Sequence, residues 1–493
     1  MHLRHQYSYL WLIIAAVSFP FANGRWVVPI VVWIAPLFLI RFMKSARGIW
    51  AYIACFVVLF LGFSVGFHGV VPGSILYILA PFFSLVMMIP YVLHLRLSPR
   101  VSGLLSTLVF PLSYVAIEYL GSFVSPYGSW LSYGYTQYGN LPLLQIISVT
   151  GLWGVTFIVM WFNAVVDWVW DQQFQWDRVR KPVLSFGLIF VGIFACGGLR
   201  LTLFSPVGQA VQVATISAPE PNSAITAVIA NPHVTNVQWQ AFQSSAHRMQ
   251  DRLLAQTAQQ AEAGAKIIIW GEADGIVSPG DLSRFIRQGE KLASQKKIYL
   301  GMSLWLMTRS LAHQKYQDEV VWINPSGQIG GIYHKSKLVP PTDPSYFTPG
   351  NGHLFISQTS YGKIGIAICF DADFPTLIQQ AGRAHVGLLL VPGGDWRAID
   401  PLHTEMATFR AIENGFSLVR ATTSGLSIVT DSVGHTLAAA DYFHTPRGHV
   451  MVAQVYVHHT PTLYDYVGNA FEWLCIVGLL SIVAIAVLKP QES

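Results

Sequence analysis

The chain has 493 residues, of which 53% are hydrophobic, 13% aromatic and 11% charged. An ordinary soluble protein carries about 25% charged residues, so this composition excludes that class and points to a membrane protein. A formal charge of +5 with no basic run leaves no footprint for nucleic acid, and four cysteines without a CxxC pair exclude a disulfide framework.

Apolar segments of spanning length follow one another from the start of the chain. Spans are predicted at Tyr9–Phe21, Trp26–Met43, Ile49–Phe67, Ser74–Leu93, Leu104–Leu120, Leu143–Val166 and Val183–Leu203, with an eighth at Ala470–Leu488. Span one is short and follows a basic start, as a signal peptide would; the six spans behind it favour a retained helix. The predicted division is a seven-span domain over 1–205, a large polar domain over 206–468 and a final span over 469–493. Positive charges cluster in alternate loops. Arg4 precedes span one; Arg41, Lys44 and Arg47 follow span two; Arg96 and Arg100 follow span four; Arg178, Arg180 and Lys181 follow span six. That bias puts both termini in the cytoplasm and the polar domain outside.

One predicted outer loop, Gly121–Pro142, contains no Lys, Arg, Asp or Glu but holds Phe123, Tyr127, Trp130, Tyr133, Tyr135 and Tyr138. Such residues form interfacial belts, and they also suit a lip that admits an acyl chain. Trp130 and Tyr133 are the substrate-binding candidates here. Glu118, near the outer end of span five, is an intramembrane acid that reads first as a buried hydrogen-bonding group.

From Gln212 the pattern changes to alternating strands and helices. A strand VQVAT precedes an amphipathic helix over Val237–Ala263, which stops at Gly264, and a strand over Lys266–Trp270 follows. Further strands are expected at Ile298–Ser303, Glu319–Ile323, Ile329–Tyr333, Val386–Val391, Phe416–Ala421, Leu426–Thr430 and Val450–Val457. The NPSGQ turn makes Glu319–Ile323 and Ile329–Tyr333 a hairpin. A helix near Leu402–Glu413 brings Arg410 and Glu413 to i,i+3 spacing, the mark of a structural brace. About 260 residues of this pattern form one α/β or α+β layered domain.

The most informative stretch is Lys363–Pro375, KIGIAICFDADFP. A β-branched apolar run reads as a buried strand, and the acidic cluster that ends in Phe-Pro stops it, so Cys369 is expected at the strand's carboxyl end. A lone cysteine is more often a small core hydrophobe. Two other strand ends change the balance: Glu272 follows KIIIWG and Lys335 follows IGGIYH. A thiolate can attack an acyl carbon, a carboxylate can take and return the proton, and an ammonium can stabilise the tetrahedral oxyanion. A nearby cation would also lower the cysteine pKa.

WGEA, YHKSKLVP and AICFDADFP resemble the Glu, Lys and Cys signatures of the nitrilase, or carbon–nitrogen hydrolase, superfamily, and His403–Gly434 is similar to its C-terminal half. SPYGSWLSYGYTQ, TGLWGVTF and the flanking spans resemble the membrane-bound apolipoprotein N-acyltransferase family. The resemblance implies a polytopic α-helical membrane domain of about eight spans, plus an extracytoplasmic nitrilase-like α/β domain of the αββα-sandwich type. It implies Glu272 as base, Lys335 as oxyanion stabiliser and Cys369 as nucleophile. It also implies a phospholipid acyl donor, a lipoprotein amine acceptor and residence in the bacterial inner membrane. The chain departs from the family in reading VPPTD at Asp343, Cys369-Phe370-Asp371 at the nucleophile and Gly393-Gly394-Asp395-Trp396 after the next strand. These departures suit a divergent paralogue. Asp343 and Asp371 are expected to support the site, and Trp396 to line it. The alternative is a membrane-tethered amidase in which water replaces the amine. Neither cofactor nor metal is expected, since the sixteen histidines are scattered and no Gly-rich loop cradles a phosphate.

Overall fold

The computed structural model describes residues 8–46, 48–71, 73–204, 208–231, 233–309, 315–444 and 449–488. Arg4, Arg47 and the expected boundary at 205–206 lie outside them. The chain divides into two compact units, Met1–Phe204 with Tyr466–Ser493, and Ser205–Asp465.

In the first unit six helices among the described residues are long and apolar enough to cross a membrane. They are Ile49–Gly66, Ile75–Arg100, Leu104–Val124, Trp153–Asp171, Trp176–Leu203 and Ala470–Leu488. The segments expected as spans one and two are shorter and broken. One is a helix over Ser8–Ser18 with a 3₁₀ turn over Phe19–Phe21; the other is a 3₁₀ turn over Val31–Trp33 before a helix over Ala35–Ser45. Pro20, Pro29 and Pro36 each remove a backbone donor, which prevents a single long helix in either segment. The sixth expected span begins later, at Trp153, because Gly151 turns the chain with φ +67° after two short helical turns.

The uncharged aromatic loop folds back into this unit. Tyr127, Trp130, Tyr133 and Tyr135 are buried, whereas Phe123 is exposed. Glu118 anchors the loop by accepting Ser132 Oγ at 2.7 Å, Thr156 Oγ1 at 2.9 Å and the Tyr133 N–H at 3.0 Å. An apolar cavity of about 240 Å³ opens beside it, walled by Phe82, Met87, Glu118, Leu131 and Trp153 among others.

The second unit holds two sheets. The first contains β1 (Ala210–Ile216), β2 (Ile267–Trp270), β3 (Gly275–Val277), β4 (Tyr299–Leu306), β5 (Asp318–Ile323) and β6 (Ile329–His334). The second contains β7 (Phe355–Thr359), β8 (Gly362–Ile366), β9 (Leu388–Gly394), β10 (Ser417–Thr423), β11 (Leu426–Thr430) and β12 (Thr436–Asp441). A last strand, β13 (Val450–Tyr456), returns to the first sheet. The orders are β13-β1-β2-β4-β5-β6, with β3 on β4, and β12-β11-β10-β9-β8-β7.

Side-chain alternation explains the layering. Ile267 and Ile269 of β2 enter a core shared with Ile364, Ile366, Leu388 and Leu390 of the second sheet. Ile268 and Trp270 face the other way, into a core with Trp239, Phe242 and Phe285 from the helices Asn236–Glu262 and Leu282–Lys296. A strand buried on both faces has to be apolar throughout, as IIIW is. Ala407 and Ala411 of the helix Leu402–Asn414 cover the second sheet, and the helix Pro375–Arg383 packs beside it. The result is an αββα sandwich. Arg410 and Glu413 form the expected brace, 2.9 Å apart and fully buried.

Candidate active site

The carboxyl ends of β2, β8, β9 and β10 converge. β8, β9 and β10 run parallel, as do β1, β2 and β4, and the Glu272 N–H donates to Gly393 O at the end of β9 (3.3 Å). Glu272 stands two residues beyond β2 and Lys335 directly after β6. The expectation for Cys369 needs correction. β8 ends at Ile366, and Cys369 opens a 3₁₀ turn over Cys369–Asp373 with φ +49°. The acidic cluster ends the ladder three residues early, because the Asp371 side chain takes the Ile368 N–H at 3.0 Å. A left-handed cysteine is a strained conformation that persists only when its surroundings impose it.

Lys335 Nζ lies between two carboxylates, 2.6 Å from Glu272 Oε1 and 2.7 Å from Asp343 Oδ2. Asp343 Oδ2 also accepts the Val339 N–H at 3.0 Å, which fixes the loop after Lys335. Asp318, which the sequence reading did not single out, sits 3.7 Å from Lys335 Nζ. Burial, reinforced by the Glu272 charge, pushes the Asp318 carboxyl well above its usual range. Burial opposes the Glu272 charge too, but Lys335, Asp318 and the Cys369 thiol hold it below the ordinary carboxylate value. Burial likewise opposes the Lys335 charge, and Glu272 outweighs it, so Lys335 remains an ammonium.

For the thiol the balance goes the other way. Burial and the Glu272 charge raise the Cys369 pKa well above normal, and the pull of Lys335 and Arg420 does not offset them. The expected lowering by a nearby cation is therefore overturned: at rest the group is a thiol, and a base must remove its proton.

Asp371 accepts four hydrogen bonds. They come from the N–H groups of Ile368 (3.0 Å), Ser336 (3.1 Å) and Lys337 (2.7 Å), and from the Tyr333 hydroxyl (2.7 Å). Of the candidate binding residues, Trp396 is half-buried just beyond β9. Trp130 and Tyr133 belong to the membrane unit, where Trp130 packs on Tyr127 and Tyr133 on Tyr114, and neither lines the 240 Å³ cavity. The structure brings Glu272, Lys335, Asp343 and Cys369 together within the second unit, and Trp130 and Tyr133 lie in the first.

A second polar cluster flanks the thiol, and the sequence reading gave it no role. His403 Nε2 contacts Asp373 Oδ2 at 2.8 Å, His403 Nδ1 contacts Asp395 Oδ1 at 2.7 Å, and Arg420 Nη2 lies 3.3 Å from that same oxygen. Burial opposes the imidazolium, but Asp373 and Asp395 hold the His403 pKa up at about 9. Donor atoms of Cys369, Asp395 and His403 fall within 4.8 Å of one another, a set that could attract a metal ion. Both imidazole nitrogens are already committed to carboxylates and Arg420 supplies a cation, so the chemistry fits an ion-pair network instead. Its signal in the sequence was a histidine on the face of the Leu402–Asn414 helix that also carries buried Ala407 and Ala411.

The carbon-nitrogen hydrolase family model matches residues 227–456, and the apolipoprotein N-acyltransferase N-terminal domain model matches residues 13–165. An apolipoprotein N-acyltransferase of Geobacter metallireducens is 26% identical, covering 78% of this chain and 75% of its own. One from Shewanella oneidensis is 24% identical and covers 73% of each. Among solved structures, an amidase from Nesterenkonia sp. overlays with a TM-score of 0.41 at 18% identity, covering 53% of this chain and 95% of that one. The two family models lie on one chain, and relatives of a single name run through both. The protein is thus similar to apolipoprotein N-acyltransferases along both its membrane part and its carbon–nitrogen hydrolase part.

Proposed function

We propose that this protein moves a fatty acyl chain from a phospholipid, through a thioester on Cys369, to the N-terminal amine of a bacterial lipoprotein. The observation that carries this reading is that Glu272 pairs with the Lys335 ammonium at 2.6 Å and meets the end of β9, through its N–H to Gly393 O, where the Cys369 thiol lies 3.9 Å from Gly394 O. Glu272 removes the thiol proton as sulfur attacks the ester carbon, and Lys335 stabilises the oxyanion. Collapse of the tetrahedral intermediate expels the lysophospholipid alkoxide, which takes the proton back from Glu272. In the second half-reaction the amine attacks the thioester, Glu272 accepts its proton, and the departing thiolate recovers it. A resting thiol suits this sequence, because a buried thiolate would be reactive before any donor had bound.

Asp343 orients Lys335, Asp371 holds the cysteine turn in shape, and Trp396 lines the entrance. The Lys/Arg bias supports residence in the inner membrane with both termini cytoplasmic and the catalytic unit on the periplasmic side. A reporter fused at the C-terminus that reads periplasmic would overturn that orientation.

The decisive experiment is intact mass of the membrane-purified protein, with and without neutral hydroxylamine. A hydroxylamine-labile fatty-acyl adduct on Cys369, absent from Cys369→Ser and from Glu272→Gln, is the expected result. A cysteine left unmodified after incubation with phospholipid vesicles would favour the amidase reading, in which water is the acceptor.

A further inference from the structure

The acyl-transfer steps leave the charged cluster beside the thiol, Asp395 included, without a task. Asp395 follows β9 directly, and its side chain is fully buried. Its Oδ1 is shared by His403 and Arg420, while Oδ2 is buried with no hydrogen-bond partner. Burial opposes its ionisation, yet the two cations hold Asp395 below its ordinary value, so that bare oxygen belongs to a carboxylate. A buried acceptor left without a donor costs about 1–3 kcal/mol, more when it is charged. Such an oxygen is poised for a donor that arrives from outside.

The surroundings define that donor. A Cβ added at Gly425 would stand 2.9 Å from Asp395 Cβ and 3.0 Å from Oδ2, so only glycine lets the chain pass this close to the carboxylate. A carboxylate oxygen of Asp395 and the Cys369 sulfur lie within 4.8 Å, close enough for a group bonded to Asp395 to reach an acyl carbon on that sulfur. Around the thiol the carboxyl groups of Glu272, Asp343, Asp371, Asp373 and Asp395 outnumber the cations of Lys335, His403 and Arg420. The surplus is negative and favours a cationic donor. An N–H cation suits it better than a metal ion, because neither nitrogen of His403 is free to ligate.

We propose that Asp395 Oδ2 is the docking point for the ammonium of the acyl acceptor and fixes that nitrogen against the thioester on Cys369. The inference rests on the acyl-transfer reading and adds the residue that selects an amine over water. The acceptor binds as R–NH₃⁺ and gives one proton to solvent. The nitrogen lone pair forms the C–N bond as the C–S bond breaks. The second proton passes through Glu272 to the departing thiolate, and the third remains on the amide. Asp395 binds the ammonium and orients the amine, and it is regenerated as a carboxylate.

The test uses the full-length protein loaded from phospholipid vesicles, with a diacylglyceryl-cysteinyl peptide bearing a free α-amine as acceptor. Asp395→Asn is expected to slow transfer far more than loading and to raise KM for the amine about ten-fold or more. A larger share of its thioester is lost to water, and Asp395→Glu recovers part of the amine selectivity. A variant that loads and transfers with an unchanged amine KM overturns the proposal. Should Asp395→Asn fail to load, competition on the unmodified enzyme decides. An N,N-dimethyl acceptor analogue keeps a cationic N–H but cannot hold the acyl group as an amide; it should inhibit transfer where its neutral isopropyl counterpart does not. Equal inhibition by the two overturns the proposal. Absence of any thioester on the unmodified enzyme removes the acyl-transfer reading itself, and this inference with it.

Discussion

The Asp371 carboxylate accepts the Lys337 N–H at 2.7 Å and so ties the turn that carries Cys369 to the loop that carries Lys335. Neither segment is regular β-structure at that point, and one side chain holds both in register. Asp371→Ala would strand the buried N–H groups of Ile368 and Ser336 and the part-buried one of Lys337, while the Tyr333 hydroxyl keeps Ser336 Oγ at 3.3 Å. The expected loss is about 3 kcal/mol or more, at roughly 1–3 kcal/mol for each unsatisfied group that water does not reach. Thermal unfolding of the purified protein measures it. Asp371→Asn, which keeps one carbonyl oxygen, should fall between Ala and the parent; a variant as stable as the parent would show that the brace is dispensable.

Replacement of Lys335 separates charge from geometry. Lys335→Met leaves Glu272 and Asp343 facing each other without a cation, and removal of one partner from a buried ion pair costs about 3–5 kcal/mol. Lys335→Arg keeps the charge, but a planar guanidinium cannot take the place of a compact ammonium 2.6 Å and 2.7 Å from two different carboxylates. The rate of thioester formation should drop on the order of a hundred-fold or more in Lys335→Arg. Single-turnover loading measured by mass provides the check.

Alkaline pH should loosen the cluster beside the thiol. The His403 pKa stands at about 9 in the fold, because Asp373 and Asp395 outweigh the cost of burial. Against an unfolded value of about 6.5, the raised pKa gives stability that is fully present below that lower value and is lost as pH rises through about 9. The loss is on the order of 3 kcal/mol. Unfolding midpoints at about pH 6, 8 and 10 should therefore decline for the parent and decline less for His403→Gln, from a lower starting point.

Glu118 offers a test inside the membrane unit. Both of its oxygens are acceptors, for Ser132 and Thr156 on one side and the Tyr133 N–H on the other. Glu118→Gln turns one of those positions into an –NH₂ that meets donors. A loss of about 1–3 kcal/mol is expected, read as a lower melting temperature in detergent, with Ser132 and Thr156 hydroxyls able to reorient and soften it.

How much of this was legible beforehand follows from what sequence pattern encodes. Leu426–Thr430 and the hairpin of β5 and β6 were readable because alternation and turn chemistry are local. β12 escaped notice: Thr436–Asp441 is largely exposed, so it lacks the apolar alternation that marks a half-buried strand. Helix Pro375–Arg383 was hidden by the Phe-Pro pair, read as a strand stop, although proline also opens helices. At the site, Glu272, Lys335 and Cys369 announced themselves by standing just beyond strands. Asp318 and the cluster of Asp373, His403, Asp395 and Arg420 did not, since their contacts join residues far apart in the chain. The thiol's pKa was misjudged for a related reason. A cation can be guessed from sequence, whereas the degree of burial that overrides it is a property of the packed fold.

The pairing of β1 with β13, from Ala210 opposite Tyr456 to Ile216 opposite Val450, also sets a timetable for synthesis. The first strand of the sandwich finds its parallel neighbour β2 early, but its antiparallel one emerges more than 200 residues later. At translation rates of about 5–20 residues per second, that edge of the sheet stays open for roughly ten to fifty seconds. During that interval the nascent chain presents an unpaired apolar strand, VQVATI, to anything that can add to it. Truncation anywhere before Val450 would make the exposure permanent, so the final strand acts as the latch of the domain as well as a part of its sheet.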